Sequence, residues 1–244
     1  MNAVLNISAY KFLHLPDTAA LRDKLHAEAL TRGLKGTVLL AEEGINLFLA
    51  GAPEAVRGWV AQLQADARFA DIAPKESISD TVPFKRLLVK IKREIIRMNR
   101  PAIRPAQGRA PALPAPTLAR WLEQGHDDEG RPVVMLDTRN AFEVDAGAFE
   151  DAIDWRLQKF SDFPAALHEN LDGLRDKTVV SYCTGGIRCE KAALLMQDAG
   201  LPRVWQLEGG ILKYFEETSA PRWRGACFVF DERIGLAPDL QPAA

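Results

Sequence analysis

The 244-residue chain has few cysteines and histidines, and their positions exclude several classes of protein. Its three cysteines are an odd number, which argues against a disulfide scaffold and favours a reducing compartment. No two of them have C-x-x-C spacing and the four histidines are scattered, so we expect no metal site. No apolar run approaches the roughly 20 residues that cross a bilayer. The N-terminal stretch lacks the features of a signal peptide, so we expect a cytoplasmic protein without membrane association.

The composition is that of a globular chain with two functional parts. Hydrophobic residues make up 47% and charged residues 26%, and the length suits two α/β domains rather than one. Residues 1–104 hold 16 Lys/Arg against 11 Asp/Glu, whereas residues 105–244 hold 15 against 22. Parts of opposite sign suggest two units, of which the basic one could meet a polyanion.

A proline-rich stretch separates these parts. Residues 97–116 carry five prolines, and proline lacks the amide proton that helices and ladders need. We therefore predict a semi-rigid extended linker over residues 97–116, without helix or ladder pairing, after an N-terminal domain over residues 1–96.

The pattern before the linker predicts a ferredoxin-like (acylphosphatase-like) α+β domain. Apolar residues alternate from Leu5 to Ala9, and a helical stripe follows between an Asp17 cap and Gly33. A hairpin turns at Glu42-Glu43-Gly44, a second helix begins at Pro53, and RLLVKIK is read as the last strand. The order is βαββαβ, in which two helices cover one sheet face and the other face stays open.

Beyond the linker, buried strands alternate with helices. The strands are VVMLD, TVVSYC and RVWQLEGG, and the helices lie around residues 163–171 and 190–199. This alternation is typical of a small, doubly wound α/β domain with a mostly parallel sheet.

The turn after the second of these strands carries the strongest signal for chemistry. Between Cys183 and Arg188 lie four residues: Thr184, Gly185, Gly186 and Ile187. Both glycines allow positive φ, so that backbone N–H groups can point at the Cys183 sulfur. The start of the next helix and Arg188 also favour the thiolate, at the edge where open sheets bind ligands. We predict Cys183 and Arg188 as catalytic residues within an active-site loop that extends to Cys189.

This loop resembles the active loop of rhodanese domains. The resemblance extends over residues 117–222 and leaves 223–244 as a C-terminal extension. It includes Leu136-Asp137-Thr138-Arg139, Phe142-Glu143 and Leu207-Glu208-Gly209-Gly210. It implies that Cys183 can carry a sulfane sulfur as a persulfide. Cysteine phosphatases have five residues between Cys and Arg rather than four, so a phosphatase is not expected.

Four motifs spread over the chain are similar to those of rhodanese-related tRNA uridine hydroxylases. They are KGTVLLAEEGIN, PFKRLLVKIKREII, CTGGIRCEKA and GACFVFDERI. The resemblance implies oxygen-dependent 5-hydroxylation of the wobble uridine, position 34, with the tRNA anticodon stem-loop as partner and molecular oxygen as co-substrate. The sequence identifies no cofactor. Our mechanistic hypothesis is addition of the Cys183 thiolate to C6 of uracil, which makes C5 nucleophilic.

Other conspicuous residues receive more modest assignments. Cys189 either resolves an oxidised Cys183 by disulfide exchange or is a packed residue, and both readings stay open. Cys227 lies in an apolar strand and is expected to pack. Asp137 and Arg139 are expected to be architectural, and Glu190 to be a simple acid of the first helical turn.

A basic stretch indicates contact with RNA. Nine Lys/Arg and one acid lie between Lys85 and Arg109. Arg86, Lys90 and Lys92 share the outer face of the predicted last strand. Tyr10 and Phe48 point away from the apolar faces of their own strands. We therefore expect these two aromatic residues and the three basic residues to share the open surface of the sheet. Cations with interleaved aromatics suit single-stranded RNA, although a solvated strand face gives the same pattern.

Two alternatives to the hydroxylase remain at this stage. One is a sulfurtransferase that takes sulfane sulfur from a small donor through a Cys183 persulfide. The other is a non-catalytic RNA- or partner-binding protein, which retention of the cysteine, glycines and arginine of the loop disfavours.

Overall fold

A computed structural model describes residues 3–243 and divides the chain into two compact units. The first comprises residues up to Arg97 together with Phe230–Arg233, and the second comprises Met98–Val229 with the segment from Ile234 onwards. Met1, Asn2 and Ala244, at the outer ends of the predicted segments, lie outside the described residues. Of the helices in residues 3–243, none has the length and apolar character that crossing a bilayer requires.

The first unit contains five strands and two α-helices. In chain order they are β1 (Val4–Phe12), α1 (Thr18–Thr31), β2 (Lys35–Ala41), β3 (Gly44–Gly51), α2 (Pro53–Gln64), β4 (Lys75–Ser79) and β5 (Leu87–Ile91). The expected helix ends are observed, with Pro53 opening α2 and Gly33 following α1 at φ +67°. Asp17 stands at the N-cap position, but its carboxylate accepts from Arg68 (2.6 Å) instead of capping the helix.

The sheet of this unit has the order β4-β1-β3-β2-β5. Its first four strands have the ferredoxin-like arrangement, with β4 antiparallel to β1. The expectation that RLLVKIK is the last strand of the βαββαβ motif was wrong. The motif ends with β4, and RLLVKIK supplies β5, an additional strand parallel to β2 at the opposite edge. Sequence alternation cannot distinguish these edges, because both are compatible with a half-buried strand.

One face of this sheet and the two helices enclose the core. Strand β1 contributes Leu5, Ile7 and Ala9 to this core. They are in the same cluster as the buried stripe of α1 and as Val56 and Trp59 of α2. The opposite face was expected to be open, but it is partly covered. Asn46 on that face donates to the Ile95 carbonyl (3.3 Å), and the Arg233 guanidinium donates to Ser77 Oγ (2.8 Å). Segments outside the sheet therefore cover part of it.

The second unit holds the remaining strands and helices. They are β6 (Ala112–Leu113), α3 (Ala115–Gln124), β7 (Val133–Asp137), α4 (Ala141–Ala146), β8 (Gly147–Phe149), β9 (Ile153–Asp154), α5 (Phe163–Asn170), β10 (Thr178–Tyr182), α6 (Ile187–Asp198), β11 (Val204–Leu207), α7 (Gly210–Glu217), β12 (Trp223–Gly225), β13 (Cys227–Phe228) and β14 (Gly235–Leu236). Five strands form a sheet in the order β6-β11-β10-β7-β9, and every neighbouring pair is parallel. This confirms the predicted parallel α/β architecture.

The proline-rich stretch is more ordered than its composition suggests. Ala112 and Leu113 pair with Gln206 and Leu207, and helix α3 begins at Ala115. The expectation that residues 97–116 form neither helix nor ladder was therefore wrong. The last two prolines of the stretch stand where no amide proton is required. Pro114 is the N-cap residue of α3, which places Pro116 in the first turn of that helix. The two residues between Pro111 and Pro114 are free to pair.

Candidate active site

The loop after β10 surrounds the sulfur of Cys183. β10 ends at Tyr182 and α6 begins at Ile187, so the predicted loop starts directly after the strand and includes the first residues of the helix. The Gly186 N–H donates to Cys183 Sγ (3.1 Å), and Gly186 has φ +101°, which an L side chain rarely adopts. Gly185 does not share this conformation, contrary to expectation, and a Cβ there would meet nothing within 4 Å.

The surroundings of Cys183 favour its thiolate. Burial opposes ionisation, but a hydrogen bond from Cys189, the charge of Arg188 and the backbone N–H groups of Arg188 and Gly186 outweigh it. Together they lower the pKa of Cys183 from its ordinary 9.0 to about 5. A sulfur ionised at neutral pH is a nucleophile.

Cys189 stays protonated beside it. Burial and the neighbouring Cys183 raise the pKa of Cys189 well above its ordinary value. Its Sγ lies 3.7 Å from Thr138 Oγ1, whose hydroxyl also hydrogen-bonds to the Tyr182 carbonyl (2.9 Å). The two cysteines therefore form a thiolate–thiol pair in which the pKa of Cys183 is lowered and that of Cys189 is raised.

Glu143 holds Arg188, a contact that spacing in the sequence does not reveal. The two guanidinium nitrogens of Arg188 lie 2.6 and 2.7 Å from the Glu143 carboxylate oxygens, and both side chains are buried. Despite the burial, which favours the neutral form, Glu143 and Cys183 raise the pKa of Arg188. Arg188 is thus a fixed cation at the sulfur.

The motif Leu207–Gly210 leads into helix α7, whose first turn packs against the backbone of the loop. The N–H groups of Ile211 and Leu212, at the start of α7, donate to the carbonyls of Cys183 (3.0 Å) and Thr184 (3.1 Å). A Cβ at Gly210 would lie 2.4 Å from the Cys183 carbonyl oxygen. Only glycine allows α7 to approach the loop this closely.

Two charged residues differ from their expected roles or surroundings. Glu190 is not a simple acid of the first turn, because its buried carboxylate accepts from Arg109 (Nε, 2.9 Å) and from Gln206 (3.3 Å). Arg109 belongs to the basic stretch, yet its side chain binds Glu190 on helix α6. The composition of the stretch did not indicate this contact.

The architectural readings agree with the geometry. Arg139 and Asp137 form a fully buried ion pair, and Arg139 also donates to the carbonyls of Glu143 (3.2 Å) and Gly147 (2.7 Å). Cys227 is buried, which raises its pKa to about 12.

The strand register places Tyr10, Phe48 and Lys90 on one face of the first unit, but β5 is not adjacent to β1 or β3. The cross-strand register runs Tyr10–Asn46–Leu39–Lys90, and opposed residues share a face. Lys90 is exposed and Tyr10 half-buried. Because β2 and β3 separate them, about 14 Å of sheet lies between these two residues.

The other three candidates follow the same division. Phe48 is half-buried on β3, directly opposite Ser8 of β1. Arg86 and Lys92 are exposed and flank β5. The expectation of a joint surface across neighbouring strands was therefore wrong in its strand order, since the basic residues occupy the far edge.

Comparisons with known proteins place the chain in a family. The family model of the UPF0176 acylphosphatase like domain matches residues 4–95, and that of the rhodanese-like domain matches residues 118–217. A Delftia acidovorans protein named tRNA uridine(34) hydroxylase is 68% identical over 240 residues, covering 98% of this chain and 91% of that relative. The chain belongs to the tRNA uridine(34) hydroxylase family.

Further members of the tRNA uridine(34) hydroxylase family match over their full length. Relatives of that name from Bordetella avium and Bordetella pertussis are 64% and 61% identical, covering 98% and 100% of this chain and 99% and 100% of themselves. A solved rhodanese-like domain from Anabaena has a TM-score of 0.39 and 20% identity, covering 48% of this chain and 80% of that one.

Proposed function

We propose that this protein hydroxylates C5 of uridine 34 in tRNA, in an oxygen-dependent reaction in the cytoplasm, with Cys183 as its catalytic thiolate. The observation that carries the proposal is the full-length identity to relatives that bear this activity in their names. The buried thiolate beside a fixed cation supplies a chemical basis.

The first step is covalent addition. The Cys183 thiolate forms a bond to C6 of uracil, and the C5–C6 π pair becomes an enolate with nucleophilic C5. C5 then attacks an oxygen donor of peroxide oxidation level, formed from dioxygen and two electrons of a reductant. The C5–O bond forms while the O–O bond breaks, and the other oxygen leaves as an alcohol or as water. Loss of the C5 proton and of the thiolate restores the double bond and gives 5-hydroxyuridine.

The residues around the sulfur have separate roles in this scheme. Arg188, held by Glu143, stabilises the thiolate that attacks and later leaves. The Cys189 thiol donates a hydrogen bond to that sulfur and keeps its own proton. Cys189 also stands where it could resolve an oxidised Cys183 by disulfide exchange.

We place the anticodon stem-loop on the first unit. Exposed Arg86, Lys90 and Lys92 would contact phosphates, while Tyr10 and Phe48 would stack on bases. Single-stranded RNA fits these groups because its bases are unstacked and its backbone is anionic.

A sulfurtransferase is the second candidate. The N–H of Gly186 directed at Cys183 would also stabilise a persulfide anion formed from a small sulfur donor. In that case the outer sulfur would pass to an acceptor, and the Cys183 thiolate would be regenerated.

Nucleoside mass spectrometry of tRNA from cells that lack this gene distinguishes the two. Loss of 5-hydroxyuridine and its derivatives, restored by the gene, supports hydroxylation. Unchanged 5-hydroxyuridine with loss of a thiolated nucleoside would contradict it and support sulfur transfer.

The covalent step has its own test, an anticodon stem-loop that carries 5-fluorouridine at position 34. After oxygenation, C5 carries fluorine and oxygen but no proton, so the elimination that would expel the thiolate is blocked. The adduct therefore persists and migrates as a protein–RNA complex on a denaturing gel. We expect the complex with the natural protein and none with Cys183→Ser. Equal complexes with both would exclude attack by Cys183.

A further inference from the structure

Two phenylalanines stand at the rim of the Cys183 loop and have no part in the chemistry described. Phe142 and Phe228 form an edge-to-face pair with ring centroids 5.1 Å apart. Phe142 is 48% exposed, although it lies next to the buried Glu143 that holds the loop arginine. We propose that Phe142, supported by Phe228, is a stacking site for an RNA base next to the target uridine. The inference rests on the proposed function.

Neighbouring side-chain and backbone groups link both residues to the loop. Glu143, the residue after Phe142, holds Arg188 through two hydrogen bonds. The Phe228 carbonyl accepts from Thr184 Oγ1 (3.3 Å), immediately after Cys183. The backbone that carries the pair is thus linked to the loop near Thr184 and near Arg188.

The start of α4 keeps Phe142 in place. The Glu143 carboxylate accepts from the Asn140 N–H (3.0 Å), so one side chain closes the helix start and holds the loop arginine. A ring on such a fixed turn loses little conformational entropy when it binds.

The chemistry of the exposed ring selects its occupant. Phenylalanine has no hydrogen-bonding group, so it recognises a flat π-face rather than a base identity. Bases in an RNA loop are unstacked and stack on aromatic side chains without regard to sequence. Because the uracil itself must reach Cys183, the ring at the rim takes a neighbouring base of the same single strand.

Three variants of the full chain test the site: Phe142→Ala, Phe142→Leu and Phe142→Trp. The probe is an anticodon stem-loop with 2-aminopurine beside uridine 34, whose fluorescence falls on stacking. We expect Phe142→Ala to weaken binding by roughly 5- to 150-fold, the range for loss of one stacked base. Phe142→Leu keeps an apolar side chain without a π-face and should stay weak, whereas Phe142→Trp should restore affinity and quenching.

A substitution at Phe142 could disturb the neighbouring Glu143 and, through Arg188, the ionisation of Cys183. The thiolate absorbance of Cys183 at 240 nm detects such a disturbance and serves as the control. Its pH profile should be unchanged in all three variants. If Phe142→Ala shifts the pH profile, the stacking role is judged from Phe142→Leu and Phe142→Trp, because these variants retain a large side chain. Natural affinity and quenching in Phe142→Leu would overturn the inference. Absence of hydroxylation by the natural protein would instead overturn the proposed function, since binding and quenching are measured without turnover.

Discussion

Arg188 and Glu143 are 45 residues apart in the chain, yet their side chains make two hydrogen bonds of 2.6 and 2.7 Å in a buried site. Through this contact helix α4 fixes the loop that carries Cys183. The electrostatic environment of the sulfur therefore depends on a residue outside the loop.

Glu143→Ala is expected to destabilise the protein strongly. It leaves the Arg188 cation buried without its partner, a loss of about 3–5 kcal/mol for such pairs. Denaturant unfolding measures it. The matched control is Glu150→Ala, which breaks the exposed Arg222 pair and should cost no more than about 1 kcal/mol. Equal losses in the two variants would contradict the role of the buried pair.

The two loop glycines should respond differently to alanine. Gly186→Ala forces an L residue to φ +101°, a strain of about 1–3 kcal/mol, and should move the N–H that points at the sulfur. Gly185→Ala places a methyl group in open space. We expect reduced stability and less thiolate absorbance at pH 7 for Gly186→Ala alone. The same loss in both variants would refute this account of the loop.

Ionisation of Cys183 should occur at low pH. The difference in 240 nm absorbance between the natural protein and Cys183→Ser isolates this thiolate, while Cys227, with a pKa of about 12, stays protonated. Because the folded-state pKa is lowered to about 5, the signal should be complete at pH 7 and fall as pH drops through 5.

Cys189→Ala removes a hydrogen bond to the Cys183 sulfur and should move that midpoint upward. Cys189→Ser keeps a donor and should move it less. A midpoint near 9 in the natural protein would contradict a stabilised thiolate.

The basic edge of the first unit is tested by salt dependence. Changing Arg86, Lys90 and Lys92 to Ala should flatten the plot of log affinity for tRNA against log salt by about 0.7–0.9 for each phosphate that the variant no longer binds. Ala at Tyr10 or Phe48 should weaken binding by about 1–3 kcal/mol with little change of slope. As a control, three exposed cations elsewhere (Lys24, Lys159 and Arg175) are changed to Ala. If both triple variants have the same slope, the edge does not contact phosphates.

Local pattern was enough to predict many of the elements and the loop, but not the strands β4 and β6. Alternation at Leu5–Ala9 and the glycines after Cys183 follow from short-range geometry and were found where expected. The position of β5 at the far edge was not predictable, because which edge a strand joins depends on long-range pairing. The partners Glu143 and Arg109 were missed for the same reason, since they lie 45 and 81 residues from Arg188 and Glu190.

The most direct test of Cys183-dependent hydroxylation is the 5-hydroxyuridine content of tRNA in cells that lack the gene and carry either the natural gene or Cys183→Ser. Serine preserves the packing but stays protonated at neutral pH, so it cannot attack C6. We expect the natural gene to restore 5-hydroxyuridine and its derivatives and the serine variant, at equal protein level, to restore none. Full modification with Cys183→Ser would contradict the account.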